Sequence, residues 1–280
     1  MSGAPDLAPR VGAPRVGPPP GLVSVLVVNL STTIDDDAFG RAVAAVEAQV
    51  NTDFQPVWGV GASLVARRLD LGGLPADVDG GSQAILYLGD HTGDPTAGIS
   101  SVFGYHDRTR SGLPYAFVYL DVCTLRDEPW TCTLSHEVLE LLADPDTLST
   151  ALGPAPEGSG LEGEVPYGLE VCDPTQSDRY EIDGVLVANF VTRAYFGEGP
   201  VGAATNFLDL DLPPFGARPG GYIQYDDGAM MQRIDGSAVD PATLRAQDLM
   251  AEHRRNARRE AGLRPPDSSL PGLGAQDRTG

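Results

Sequence analysis

Between Thr133 and Pro145 the chain reads TLSHEVLELLADP, and this stretch constrains the molecule more than any other. His136, Glu140 and Asp144 recur at i, i+4 and i+8, so a helix sets them along one face. Glu137 follows His136 and lies about 100° further round, close enough to reach the same space from the side. Val138, Leu139, Leu141 and Leu142 supply apolar surface elsewhere, which predicts a packed helix bearing an acidic and imidazole stripe. Burying such a stripe is costly unless something neutralises it, and a divalent cation does so most directly. A solvated surface helix with scattered acids would show the same residues, so the surroundings of the stretch have to decide.

Those surroundings are ordered. Residues 22–28 form a β-branched apolar run, the signal of a buried strand. Ser31 or Thr32 and the Asp35-Asp36-Asp37 cluster open a helix running to about Val50, with Phe39, Val43, Val46 and Val50 on its core face. Residues 57–67 and 84–88 read as further strands, separated by a Gly/Asp-rich turn at 71–82. Residues 99–105 and 115–121 read as a β-ribbon closed around Arg108 to Gly112. His106, just before that turn, reads as a partly exposed polar residue at a strand terminus rather than as a metal ligand or an acid/base group.

The spacing resembles the His-Glu-x-x-His signature of the zincin metallopeptidases, with Glu140 in place of the second histidine. The order of elements over residues 22–145 resembles the N-terminal half of zincin catalytic domains. The resemblance implies an α+β fold: a twisted mixed sheet with an active-site helix, plus a smaller C-terminal subdomain. It implies a metal-dependent hydrolase, most simply a zinc metallopeptidase acting on a peptide or protein. His136 and Glu140 would hold the metal, and Glu137 would take a proton from the metal's water. The third ligand would come from Glu170 or Asp173, which follow the Gly/Pro/Glu-rich loop 151–168. Asp173 precedes Pro174 and is expected on extended backbone, where an Asp-Pro also serves simply as a turn. Zinc is the expected cofactor, while manganese and calcium also suit carboxylate-rich ligands. Tyr222, in a turn entering a strand, is the candidate donor to an oxyanion, although a strand tyrosine is usually packing. Met230-Met231 lacks the extended motif of the zincins that place a methionine under the metal and receives no role. The segments 135–140, 170–174, 180–184 and 189–191 together also resemble uncharacterised proteins of bacteria and their phages. The competing function is therefore a non-catalytic module, of a phage or phage-tail-like particle, whose acids hold a structural cation.

Charge narrows the partners. The net charge of -20 and pI near 4.3 argue against nucleic acid. All 19 basic residues are arginines. No segment has the apolar length of a membrane span, and the N-terminus lacks a secretory signal, so the expected location is cytoplasmic, or exported or packaged without a classical signal. Residues 1–21 read as a Pro/Gly-rich disordered leader, 22–240 as the metal-binding domain, 241–262 as an Arg-rich helix suited to an acidic partner, and 263–280 as a disordered tail. Cys123, Cys132 and Cys172 read as buried free thiols, with a Cys132–Cys172 bridge or thiolate ligation as the alternatives.

Overall fold

A computed structural model describes residues 23–69, 82–90, 103–109 and 111–236. The leader, the Arg-rich helix, the tail and the turn expected at 71–82 lie almost wholly outside these residues. The fold is mixed α+β. Strand β1 (Val23–Asn29) leads into helix α1 (Asp36–Ala48), capped by the Asp35 side chain, which accepts from the Ala38 N–H at 2.7 Å. The helical path does not stop near Val50. It continues through a π-turn (Gln49–Phe54) into α2 (Gln55–Trp58), so Val57 and Trp58 are helical rather than the start of a strand. Pro56 sits in the first turn of α2, where its missing N–H needs no partner. Phe54 and Trp58 are thereby turned into the core, against Phe190 and Phe196.

Strands β2 (Ala62–Arg68), β3 (Ala84–Gly89), β4 (Gly104–Arg108) and β5 (Pro114–Tyr119) join β1 in a five-stranded sheet of order β2-β1-β3-β5-β4. The first four are mutually parallel, which explains the unbroken apolar runs of β1 and β3, while β4 pairs antiparallel to β5 at the edge. At the opposite edge, exposed Arg67 and Arg68 end β2 and discourage further pairing. The ribbon expected at 99–105 and 115–121 is displaced along the chain. Gly104 pairs with Val118 and Arg108 with Pro114, which puts His106 in mid-strand opposite Ala116. Beyond β5 the chain becomes helical at once, as α3 (Leu120–Leu125).

The motif helix α4 (Trp130–Ala143) begins three residues before Thr133 and is buried from Cys132 through Leu142, with no solvated face. It packs on β4 and β5 and touches α1, so both helices cover one face of the sheet. Asp144 falls just beyond the helix end and accepts a hydrogen bond from the Ser149 N–H, closing the turn rather than extending the stripe. After α4 come the hairpin β6 (Thr150–Pro154) and β7 (Glu164–Gly168), a small ribbon of β8 (Arg179–Ile182) and β9 (Val185–Ala188), then β10 (Tyr222–Asp226) and β11 (Met231–Asp235). β11, β10, β7 and β6 make a second, antiparallel sheet. Among the described residues no helix is long and apolar enough to cross a membrane.

A buried polar network sets the position of α4. The Ser135 hydroxyl donates to Gln49 Oε1 at 2.6 Å and accepts from the Ala188 N–H at 3.1 Å. The Gln49 amide donates in turn to the Ala188 carbonyl at 2.7 Å. One residue before His136, the helix is thus tied to the end of α1 and to β9. Ser135→Ala would leave two buried polar atoms without partners, and a loss of about 1–3 kcal/mol is expected in urea denaturation. A change below about 0.5 kcal/mol would show that this network does not fix the helix.

Candidate metal centre

Three elements converge on the middle of α4. The edge strand β4 presents Gly104, His106 and Arg108 on the face turned to the helix, since alternate residues of a strand share a face. Gly104 is required there: a Cβ would stand 2.6 Å from the Phe117 carbonyl oxygen and 2.8 Å from Glu137 Oε1. Its absence lets β4 approach close enough for His106 to reach the helix. The second element is α4 itself, with His136, Glu137 and Glu140. The third is the segment after β7. Val191 N–H donates to the Val171 carbonyl at 2.7 Å, and the Cys172 N–H donates to Glu140 Oε1 at 3.2 Å. The same stretch of backbone therefore orients Glu140 and delivers Glu170 and Asp173.

Asp173 opens a 3-10 turn (Asp173–Thr175), not the extended segment expected from Pro174. The turn is closed by the Thr175 N–H donating to the Cys172 carbonyl, with Pro174 placed where no N–H is needed. Arg218 N–H donates to the Pro174 carbonyl, and the backbone of Gly221 packs against it, which anchors the turn to the strand β10.

The donor atoms fall into two overlapping groups. His136 Nε2 lies 3.1 Å from Glu140 Oε2 and 3.3 Å from Asp173 Oδ1. His106 Nδ1 lies 3.5 Å from Glu137 Oε2 and 3.5 Å from Glu140 Oε2, and its Nε2 lies 3.8 Å from Glu170 Oε2. All six residues are buried. Neither ring nitrogen of His106, nor His136 Nε2, nor either oxygen of Glu137 makes a well-aligned hydrogen bond. Buried polar atoms without partners are rare and point to a group that binds them. His136, Glu140 and Asp173 together, and His106, Glu137 and Glu140 together, each bring their donors within 4.8 Å of one another.

His106 is the principal correction to the sequence reading. It is 1% exposed and central to the cluster, not a half-exposed strand end. The register of β4 on β5 decides this, because the turn after Arg108 begins three residues later than a strand ending at Tyr105 requires. Glu170 lies against the outer nitrogen of His106, while Asp173 lies with His136. Tyr222 is fully buried on β10, its ring covered by the Arg233 guanidinium at 3.9 Å. The three cysteines are free. Burial pushes the Cys123 and Cys132 thiols up to about 12 and raises Cys172 as well, its acidic neighbours adding to the effect.

The electrostatics express the same crowding. Burial alone would lower the pKa of His106, but the carboxylates of Glu137, Glu170 and Glu140 raise it from 6.5 to about 9. His136 is likewise driven well upward by Glu140 and Asp173 against the effect of burial. Glu140 is raised by burial and by Asp173, and His136 opposes this. A small cavity of about 10 Å³, room for roughly one water, opens beside His136 and Glu137, with Phe103, Glu128, Cys132 and Gln176 among its walls.

Comparison of the chain with protein-family models, with curated proteins and with solved structures returned no match. The residues themselves therefore carry the functional argument.

In the metal-free protein both histidines hold their protons more tightly when folded than when unfolded. The stability they contribute is fully present below about pH 6.5 and is lost as pH rises through about 9 for His106. The raised Glu140 acts in the same sense, because its protonated form is favoured by folding. Denaturation of EDTA-treated protein is expected to show lower stability at pH 9 than at pH 6. Equal or greater stability at pH 9 would contradict the buried acidic environment assigned to these residues.

Proposed function

We propose that the chain is a metal-dependent hydrolase of the zincin type, in which His136, Glu140 and Asp173 hold a divalent cation and the substrate is a peptide. The observation that carries this reading is the His136–Glu140–Asp173 triangle. A tetrahedral ion with bonds of about 2.0–2.1 Å keeps its ligands about 3.3 Å apart, close to the 3.1 and 3.3 Å separations of these donors. One imidazole and two carboxylates suit zinc and also accept manganese. The mixed sheet with an antiparallel edge strand beside the motif helix supports the zincin-like reading of the fold. The second sheet, which brings in Asp173, supports that of a smaller C-terminal subdomain.

The cavity beside His136 supports this function over that of a purely structural site. Structural metal sites are closed by protein ligands, whereas catalytic ones keep a position for water and substrate. Here the cavity is lined by His136 and Glu137, leaving space for about one water beside both. When bound, the cation would polarise the scissile carbonyl and acidify water. Glu137, beside it and not part of the first triangle, accepts the proton that water loses in attacking that carbonyl and then returns it to the leaving amine. The Cys172 N–H holds Glu140 through Oε1, leaving Oε2 turned to the cation. Phe103 and Cys132 stand among the residues that line the cavity.

His136→Ala is expected to abolish binding of zinc in native mass spectrometry. Glu137→Gln is expected to retain it while hydrolysis of a peptide library falls by roughly two to four decades. A wild-type protein that remains metal-free in zinc-containing buffer would end the metal reading. A metal-bound wild type that cleaves no peptide would favour the structural module.

A further inference from the structure

The first triangle leaves His106, Glu137 and Glu170 unused, and these are as deeply buried as its own members. His106 contributes a second set of contacts at ligand-to-ligand distances: 3.5 Å to Glu137 Oε2 and 3.5 Å to Glu140 Oε2. Both ring nitrogens lack a hydrogen bond although the side chain is 1% exposed. The atom common to both triangles is Oε2 of Glu140, 3.1 Å from His136 Nε2 and 3.5 Å from His106 Nδ1.

We propose that His106, Glu137 and Glu140 form a second divalent-cation site, joined to the first through Oε2 of Glu140, with Glu170 holding His106 in its ligating orientation. Three arguments support it, and all rest on the metal reading of the first triangle. The first is charge. Glu137, Glu140, Glu170 and Asp173 are four carboxylates in a dry interior. With neutral histidines, one divalent ion leaves two negative charges unbalanced and two ions leave none. The second is the shape of the His106 contacts. A ligating histidine characteristically gives its other ring N–H to a carboxylate, and Glu170 Oε2 is the carboxylate that faces that other nitrogen, at 3.8 Å, short of a hydrogen bond in the metal-free arrangement. The third is spacing. One oxygen shared between two ions keeps them about 3.5–4 Å apart, the separation found in two-metal hydrolytic sites.

The second site holds one nitrogen and two carboxylates, so it takes zinc or a harder ion such as Mn²⁺. Glu137 would ligate the second ion through Oε2, so Glu137→Gln is expected to retain the first ion and lose the second.

The test uses the full chain, stripped with EDTA, reloaded with Mn²⁺ and freed of excess ion by gel filtration. Elemental analysis is expected to give two Mn²⁺ per chain, and low-temperature EPR the exchange-coupled spectrum of an oxygen-bridged pair. His106→Ala is expected to hold one ion with an uncoupled spectrum. Glu170→Gln is expected to weaken the second ion about 10- to 100-fold while sparing the first. One ion per wild-type chain, with His106→Ala unchanged, would overturn the second site and leave the first standing. Two ions without coupling would overturn the shared oxygen. No ion in the wild type would overturn both sites. If His106→Ala fails to fold by circular dichroism, the wild-type stoichiometry and spectrum decide the question alone.

Discussion

Oε2 of Glu140 lies 3.1 Å from one imidazole and 3.5 Å from another, in the middle of a helix with no solvated face. Around it, four carboxylates and two histidines share a space from which water is largely excluded. Each buried, uncompensated charge costs several kcal/mol, and removing one partner from such a set is more damaging than never having built it. A fold that keeps six ionisable groups together in its core therefore depends on a counter-charge. Protons on the histidines supply part of it in the metal-free protein, which is why both histidines are driven upward. A divalent cation, if bound as proposed, would supply it in a form that neutral pH does not remove.

The rest of the architecture can be understood as support for that cluster. The sheet places its one antiparallel strand at the edge beside α4, and Gly104 lets that strand close upon the helix. The Ser135–Gln49–Ala188 network fixes α4 along its length, so His136, Glu137 and Glu140 project from a rigid rod. The Cys172 N–H couples the segment that follows β7 to the helix through the carboxylate at the centre. Donors from three segments far apart in the chain thus have their positions set by backbone contacts, the condition under which a site holds a cation rather than merely collecting acids.

Much of this was legible in the sequence because it is local. The apolar runs of β1 and β3 and the i, i+4 spacing of His136 and Glu140 are carried by periodicity, which a few adjacent residues determine. That an acid at 170 or 173 returns to the helix was legible too, from residue type and position, although the expected loop at 151–168 is the hairpin of β6 and β7. What was not legible depends on register and on distant partners. His106 is a strand-end residue or a central one according to where the 109–112 turn begins, and a shift of a few residues moves it from the rim to the core. Its sharing of a strand face with Gly104 was the available signal. The partnership of Gln49 with Ser135 spans 86 positions and leaves no local trace. The fate of Asp144 was decided by the helix ending at Ala143, and helix ends are poorly determined by pattern alone.

The most direct measurement is a crystal structure of the zinc-loaded protein with anomalous data collected at the zinc edge. The expected result is an anomalous peak about 2.0–2.2 Å from His136 Nε2 and from carboxylate oxygens of Glu140 and Asp173. Ordered density for these three side chains with no anomalous peak between them, or zinc bound only at the molecular surface, would contradict the assignment of this cluster as a cation site.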